Sequence, residues 1–555
     1  MCSFSGYTRV VFGLVPSRST QIQVGLTLLF AVLLTGAMKV APVVLPQVCQ
    51  TLVVASSSEK SGMLGDFAAE YNAAGHFVNG ACVRVRVDAV NSGDAEQALE
   101  SGWRGAGTPR PDVWSPAAGA WVVLLKERST TGAAQVPATY ETLFQSPLVI
   151  GVPQPMANAL GYPGRPLGWS DIFGLVNNPL GWGSLGHSEW GRFQLGKTNP
   201  NVSTSGLNAL IGTYYAAGGA TMSTVTSPSV RGFVRGIESA VVHYGPTARE
   251  FLANLRDADN GGTALQYVSA VAVEEQELVT YNNAVPGPRI PLVAVYPSEG
   301  TPVADHPYVV LQWSTAKAAA IDFYSFVESH QARIDSAFFR DRFGLPGAAL
   351  SLHSVNTGSI ARLTPPEGRV LKTMLDEWQA LRKPARVLVL IDTGAGQAAV
   401  QAAAQLGAAV TGFQTQDQVG LWEVAAPSAA SGHIQVLPLG APGFPLRSTL
   451  SAIEATRARG DLPRAIREGI AALAAGSSGS TIDALLVVEM DPGPRQTLDV
   501  QLERDLRNQV PDRQVRLFVA GPPSERLAAL ALAGRGALYP PGAATHFLRD
   551  LVSNF

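Results

Sequence analysis

The residues best placed to do chemistry lie in Gly196–Gly219, GKTNPNVSTSGLNALIGTYYAAGG, where a polar loop runs into a helical pattern. Ser203, Thr204 and Ser205 are good N-cap residues, and Leu207, Leu210 and Ile211 carry the apolar spacing of one helix face. Gly206 lets a ligand or a neighbouring backbone come close. A helix that starts behind hydroxyls and a glycine presents free N–H groups and a partly positive end, which suits an anion or a polar ligand. An ordinary capped helix is the competing reading of the same residues. The stretch also contains Gly191, Gly196, Lys197 and Thr198, which fit the G-x-x-x-x-G-K-[ST] phosphate-loop pattern. Their surroundings argue against nucleotide chemistry. Gly181–Trp190 has no strand character, and Pro200 pushes the residues before it out of helix.

Other chemistries find little support. No G-x-S-x-G elbow and no H-E-x-x-H helix occurs, and the eight histidines are scattered. His187 and His306 neighbour loops, where a histidine is ordinarily just solvated. Catalysis is therefore not expected. A formal charge of −2 over 555 residues argues against a nucleic-acid partner, which wants a basic face. Cys2, Cys49 and Cys82 lack metal-site spacing.

Several elements must position the loop and helix. Residues 1–23 are polar and carry Arg9 and Arg18. Residues 24–45 are apolar except for Thr, Gly and Lys39; with Lys39 snorkelling they reach the length of a transmembrane helix. The arginines ahead of it favour a cytoplasmic N-terminus, so a single-pass anchor is expected with the bulk of the chain outside the cytoplasm. A cleaved signal peptide is the alternative and leads to the same compartment. There Cys49 and Cys82 are expected to form a disulfide that ties down the start of the folded part.

After the anchor, Thr51–Ala55, Val83–Val87 and Pro111–Ser115 read as strands alternating with helices, which predicts a parallel sheet covered on both faces. Ligands sit outside the carboxyl ends of such strands, where Ser56–Ser58 and Asp112–Ser115 fall. The chain leaves this unit at Ser146–Val152 and returns near Pro291–Tyr296, so two α/β lobes are expected around a cleft. The lobes are residues 50–148 with 293–355, and residues 149–292. Between them, Arg231–Leu255 reads as a helical stretch.

VVASSSEKSGML, PDVWSPAA, SPLVIGVP, LGWSDI, GKTNPNVSTSGLNAL and LVAVYPSEGTPVADHPYVVL together resemble bacterial extracellular solute-binding proteins of the two-lobed type II periplasmic fold, over about residues 50–350. The resemblance implies a solute clamped between lobes by loop hydroxyls, backbone amides and helix N-termini. Carried over position by position it implicates Ser57, Ser58, Trp114, Ser115, Thr204, Ser205, Tyr296 and Glu299. Glu299 and Glu275 near the expected cleft weigh against a simple oxyanion, because like charges repel.

Residues 364–384 read as a linker holding one amphipathic helix, Gly368–Leu381, between prolines. Residues 385–555 start again as α/β, with Val387–Ile391 as a buried strand ending at Asp392. This tail resembles a Rossmann-like von Willebrand factor A domain through its strand order, the segment DQVGLWEV and the Asp-ended first strand. Many members of that family bind a divalent cation through Asp-x-Ser-x-Ser, a threonine and a later aspartate. Here the motif reads Asp392-Thr393-Gly394-Ala395-Gly396, and Asp491 falls where the later aspartate belongs. Two hydroxyl oxygens are missing, and a hard cation wants about six oxygens. The resemblance thus leaves a degraded site, with no cofactor beyond weak magnesium or calcium, and implies docking of a protein partner without a metal.

The whole is expected to be an α/β chain: solute-binding domain 48–363, linker 364–384 and A-type domain 385–555 behind an anchor at 24–45. It would bind a small ligand of open class by hinge closure near residues 150 and 292 and show the result to a protein partner. The alternative is a cell-surface assembly scaffold whose cleft has lost its ligand.

Overall fold

The computed structural model describes residues 49–540 apart from 105–107, 246, 354, 357, 410–412, 456–459, 478–479, 494–496, 510–514 and 537. The anchor expected at 24–45 lies outside the described residues. Among the described residues no helix is long and apolar enough to cross a membrane.

The chain opens with β1 (Gln50–Ser56), α1 (Ser58–Ala74), β2 (Phe77–Val78), β3 (Ala81–Ala89), α2 (Ser92–Glu100), β4 (Val113–Ser115), α3 (Gly119–Arg128) and β5 (Glu141–Thr142). It continues through β6 (Ser146–Pro153), α4 (Trp169–Asn177), β7 (Leu195–Thr198), α5 (Thr204–Ala216), α6 (Pro228–Ser239), β8 (Val241–Gly245), α7 (Ala248–Asn260), β9 (Ala270–Glu274), α8 (Glu275–Asn282) and β10 (Leu292–Val295). It then returns with β11 (Val303–Ala304), β12 (Pro307–Val310) and α9 (Lys317–Glu328).

These strands make two sheets. The first runs β2-β3-β1-β4-β12-β5 and the second β10-β6-β9-β7-β8. β12 belongs to the first sheet although it follows the whole second one in sequence, so the chain crosses between lobes twice. Central strands read as continuous apolar runs because helices cover both faces; β6 is buried at every residue. Cys49 and Cys82 form a disulfide beside the β1–β3 pair, with Cα atoms 4.7 Å apart.

Two details differ from the sequence reading. The stretch Arg231–Leu255 holds two helices, α6 and α7, with β8 between them. Ile150 and Leu292, near which the hinge is expected, sit inside paired strands, in register with Val295 and Pro153.

The tail follows the linker helix α10 (Gly368–Leu381) with β13 (Ala385–Ile391), α11 (Gln397–Ala409), β14 (Gln418–Val424), β15 (His433–Gly440), α12 (Leu462–Ala475), β16 (Ile482–Val488), α13 (Thr497–Arg507), β17 (Val515–Ala520), α14 (Glu525–Ala533) and β18 (Leu538–Tyr539). Its sheet order is β15-β14-β13-β16-β17-β18, parallel except where β15 runs against β14. A buried ion pair, Arg382 Nη2 to Asp417 Oδ2 at 2.7 Å, fixes the entry into β13.

Candidate functional site

Four helices begin at one place between the lobes. Ser58 and Glu59 start α1, Ser92 starts α2, Thr204 and Ser205 start α5, and Ala248 starts α7 behind Thr247. Apart from Glu59, these starts are made of small or hydroxyl residues, which suit a chain leaving a strand or loop to turn at once into a helix. The first two come from one lobe and the last two from the other. Together with Asn91, Val202, Ser203, Glu274 and Glu277 they enclose about 20 Å³. That is space for about one water.

The lobes touch directly around this space. Gly93 N donates to Val202 O at 3.0 Å. A Cβ at Gly93 would lie 2.1 Å from Asn201 O, so only glycine fits the seam. Trp121 Nε1 donates to Thr204 Oγ1 at 2.8 Å, and Thr204 Oγ1 reaches Ser92 Oγ at 3.3 Å. Arg249 Nη2 donates to Ser58 O at 3.3 Å from the rim.

The electrostatics of the pocket are mixed. Helix N-termini make it partly positive, while Glu59, Glu274 and Glu277 bring carboxylates. Burial, with Glu59 and then Glu277 nearby, holds Glu274 well above the usual carboxylate range; burial and Glu59 push Glu277 up to about 8. Lys60 lies fully buried behind the wall. Its Nζ donates to Ser57 Oγ, to Ser115 O at 2.9 Å and to Pro116 O at 3.0 Å, and burial pulls its pKa down. His306 is also fully buried, 3.4 Å from Glu274 Oε2 and 3.7 Å from Glu59 Oε1. Burial, helped by Lys60, keeps its imidazole well below its ordinary pKa and hence neutral.

The residues singled out from the sequence divide into three groups. Ser58, Thr204 and Ser205 line the pocket. Ser57 and Ser115 form the layer behind it: Ser57 Oγ donates to Glu59 Oε1, and Ser115 Oγ donates to Pro307 O at 2.7 Å. Trp114, Tyr296 and Glu299 lie elsewhere. Trp114 is fully buried in the core. Tyr296 donates to Glu275, which also takes two hydrogen bonds at 2.7 Å from Arg340. Glu299 accepts from Trp169 N and Ser170 N at the start of α4. Glu275 is thus neutralised by Arg340, and the acids that reach the pocket are its neighbours Glu274 and Glu277. The signals that could have found the missed residues were local: Asn91-Ser92 ends β3 as Ser56–Ser58 ends β1, and Glu274 ends the apolar run of β9.

Lys197 of the phosphate-loop pattern is buried inside β7 and paired with Glu238, so it reaches no loop that could cradle a phosphate. In the tail, Asp392 spends Oδ1 on Gly394 N at 2.9 Å. Asp491 N donates to Glu489 Oε1 at 2.7 Å. Burial and the Asp392 carboxylate push Glu489 up to about 7. Among the described residues no group of three or more His, Cys, Asp or Glu side chains is placed to hold a metal ion.

The family model for bacterial extracellular solute-binding proteins matches residues 52–334, just over half of the chain. The chain belongs to that family. The match spans both lobes and the pocket between them. No curated protein matches the chain. Similar solved structures include the sulfate-binding protein SubI from Mycobacterium tuberculosis, at 17% identity and TM-score 0.39, covering 57% of this chain and 93% of that one. Another is the periplasmic binding protein AfuA from Actinobacillus pleuropneumoniae with fructose-6-phosphate bound, at 14% identity and TM-score 0.41, covering 61% and 99%. A third is a periplasmic thiamin binding protein, at 13% identity and TM-score 0.42, covering 60% and 96%.

Proposed function

We propose that this solute-binding protein is held at the cell membrane by residues 24–45 and closes on a small polar solute at the meeting point of α1, α2, α5 and α7. The carrying observation is that hydroxyls and helix starts from both lobes converge on one pocket between two chain crossings. Ser57, Ser58, Ser115, Thr204 and Ser205 serve that site. Trp114, Tyr296 and Glu299 support it as scaffold. Burial keeps Glu274 and Glu277 protonated near neutral pH, so beside the helix starts they line the pocket as neutral hydrogen-bonding groups, which suits a small polar solute without selecting its charge. The work is binding, not catalysis.

The tail acts as a von Willebrand factor A-type domain that docks a protein partner. Its sheet order, with the edge strand β15 antiparallel to the rest and an aspartate following β13, supports that reading. Asp392 and Asp491 stand where such a domain would hold a cation, and the glycines at 394 and 396 argue that docking proceeds without one.

The test is to purify the chain without its first 45 residues and look for co-purified solute by native mass spectrometry. Thermal shifts against cationic, zwitterionic and anionic metabolites follow. A bound solute, or a shift with one class, supports the reading. No solute and no shift would overturn it in favour of an assembly scaffold. One observation favours that second reading: the lobes already hydrogen-bond each other through Gly93 and Val202, around space for about one water.

A further inference from the structure

The linker between the binding half and the tail is not a spacer. Its helix α10 buries Val370, Leu371, Met374, Leu375, Trp378 and Leu381. It packs against α3 of one lobe and against α5 and α6 of the other. On the α3 side, a Cβ added at Gly368 would lie 3.0 Å from Glu127 Cβ and 3.2 Å from Val123 O. On the other side, Arg231 of α6 pairs with Glu377 at 3.1 Å, and Tyr215 of α5 donates to Thr364 O just before the helix. One continuous apolar cluster runs from Trp121 and Leu125 of α3 through Met374 and Trp378 to Leu210 of α5 and Val234 of α6.

The tail is fixed to the same helix and touches the lobe of α5 and α6 at Tyr267. Arg382, directly after α10, is bidentate to Asp417, so α10 and the tail sheet are joined without slack. Arg535 of the tail lies over the ring of Tyr267, 5.8 Å from its centroid, and Tyr267 belongs to the lobe of α5 and α6.

The geometry points to α10 as a strap across the closed cleft, which lets go of α3 when the lobes part and so carries the tail with the α5–α6 lobe. Opening separates α3 from α5 and α6, and a single helix cannot follow both. The tail's own seat on Tyr267 decides which side it keeps. The strap rests on the hinge-closure reading given above, and it makes the position of the tail a report of whether the cleft is open.

The experiment places spin-label pairs in the full chain with Cys2→Ser and measures distances by pulsed electron resonance. Lys126→Cys with Arg235→Cys reads the cleft. Lys126→Cys with Asp376→Cys reads the strap against α3, and Arg235→Cys with Asp376→Cys reads it against α6. The perturbation is Gly368→Leu, which wedges only the α3 contact; Gly368→Ala is a milder wedge if the leucine prevents folding. The expected result is at least a threefold rise in the long-distance population for the first two pairs, with the third unchanged. A third pair that lengthens while the second holds would overturn the proposal. Gly93→Leu serves as a strap-independent wedge in the seam. If it opens the cleft while the Gly368 variants leave every pair at wild-type distances, the strap fails and hinge closure stands. If even Gly93→Leu leaves the first pair unchanged, hinge closure itself fails and the strap with it.

Discussion

The interlobe pocket and the rim of the tail sheet are both built where strands end and helices begin, and both gather carboxylates. At the pocket Glu59, Glu274 and Glu277 meet hydroxyls of Ser58, Ser92, Thr204 and Ser205 supplied by two bodies. At the rim Asp392 and Glu489 meet glycines of a single rigid sheet, and Asp392 spends an oxygen on its own turn. A helix start offers donors at either place. What separates them is that the pocket's donors come from two lobes, so under the hinge-closure proposal a ligand's contribution there would be turned into motion. The described groups of the rim all belong to the tail sheet and its turns.

The sharpest way to break this comparison is to stop the pocket from closing. Gly93→Leu puts side-chain atoms where Asn201 O stands, a backbone atom that cannot step aside. Closure should be lost outright while each lobe stays folded. Small-angle scattering should show a larger radius of gyration, with the circular dichroism spectrum unchanged. A variant as compact as wild type would mean the seam yields elsewhere and the lobes are not separate bodies.

The next largest effect tests the tail as a folding unit. Asp417 accepts from Arg382, Ala385 N and Gln414 N, all at 3.0 Å or less. Asp417→Ala leaves a buried guanidinium unpaired and should cost about 3–5 kcal/mol. Calorimetry should show the transition of the tail falling. Whether the transition of the lobes falls with it measures how far α10 makes the two halves one cooperative unit.

A smaller effect comes from protons. Glu277 titrates at about 8 in the folded chain against an ordinary 4.5, and Glu274 is raised as well. Between these values the folded state keeps a proton that the unfolded chain has released, so stability falls as pH rises. The slope is at most about 1.4 kcal/mol per pH unit for one fully retained proton. His306, held neutral, works the other way only below its ordinary value of 6.5. Melting temperature should therefore drop between pH 6.5 and 8, and Glu277→Gln should flatten that drop. An equal slope in the variant would place the titrating group elsewhere.

Much of this architecture is written in local patterns. Apolar, β-branched runs such as Leu148–Val152 and Val387–Ile391, bounded by turn residues, read as buried strands, and the hydroxyl pair Thr204–Ser205 ahead of a helical apolar pattern reads as a helix start. β7 and β8 were less legible. Leu195–Thr198 carries a glycine and a lysine, and its burial depends on Glu238 arriving from α6 to neutralise Lys197. The site divides along the same line. Ser58 and Thr204 reach the pocket as the first residues of α1 and α5, a placement their local sequence carries. Tyr296 and Glu299 look similar in the chain but answer to distant partners, Glu275 with Arg340 and the start of α4. Which of two adjacent acids, Glu274 or Glu275, faces the pocket depends on an arginine 65 residues away.

The smallest expected effect sharpens the comparison from the side of the rim. Millimolar magnesium or calcium should leave the melting temperature of the tail unchanged. Asp392 already satisfies Gly394 N, and the two hydroxyl positions are glycines. Restoring them is not symmetrical. Gly394→Ser adds a hydroxyl beside Asp392 without asking for an unusual backbone. Gly396 has φ of +69°, which L side chains adopt only at a cost, so Gly396→Ser would be strained before any cation arrived. A rise in melting temperature on adding magnesium to the unaltered chain would show that two carboxylates and water suffice. The rim would then rank with the pocket as a second ligand site. A rise only in Gly394→Ser would show that one hydroxyl is what the rim has lost.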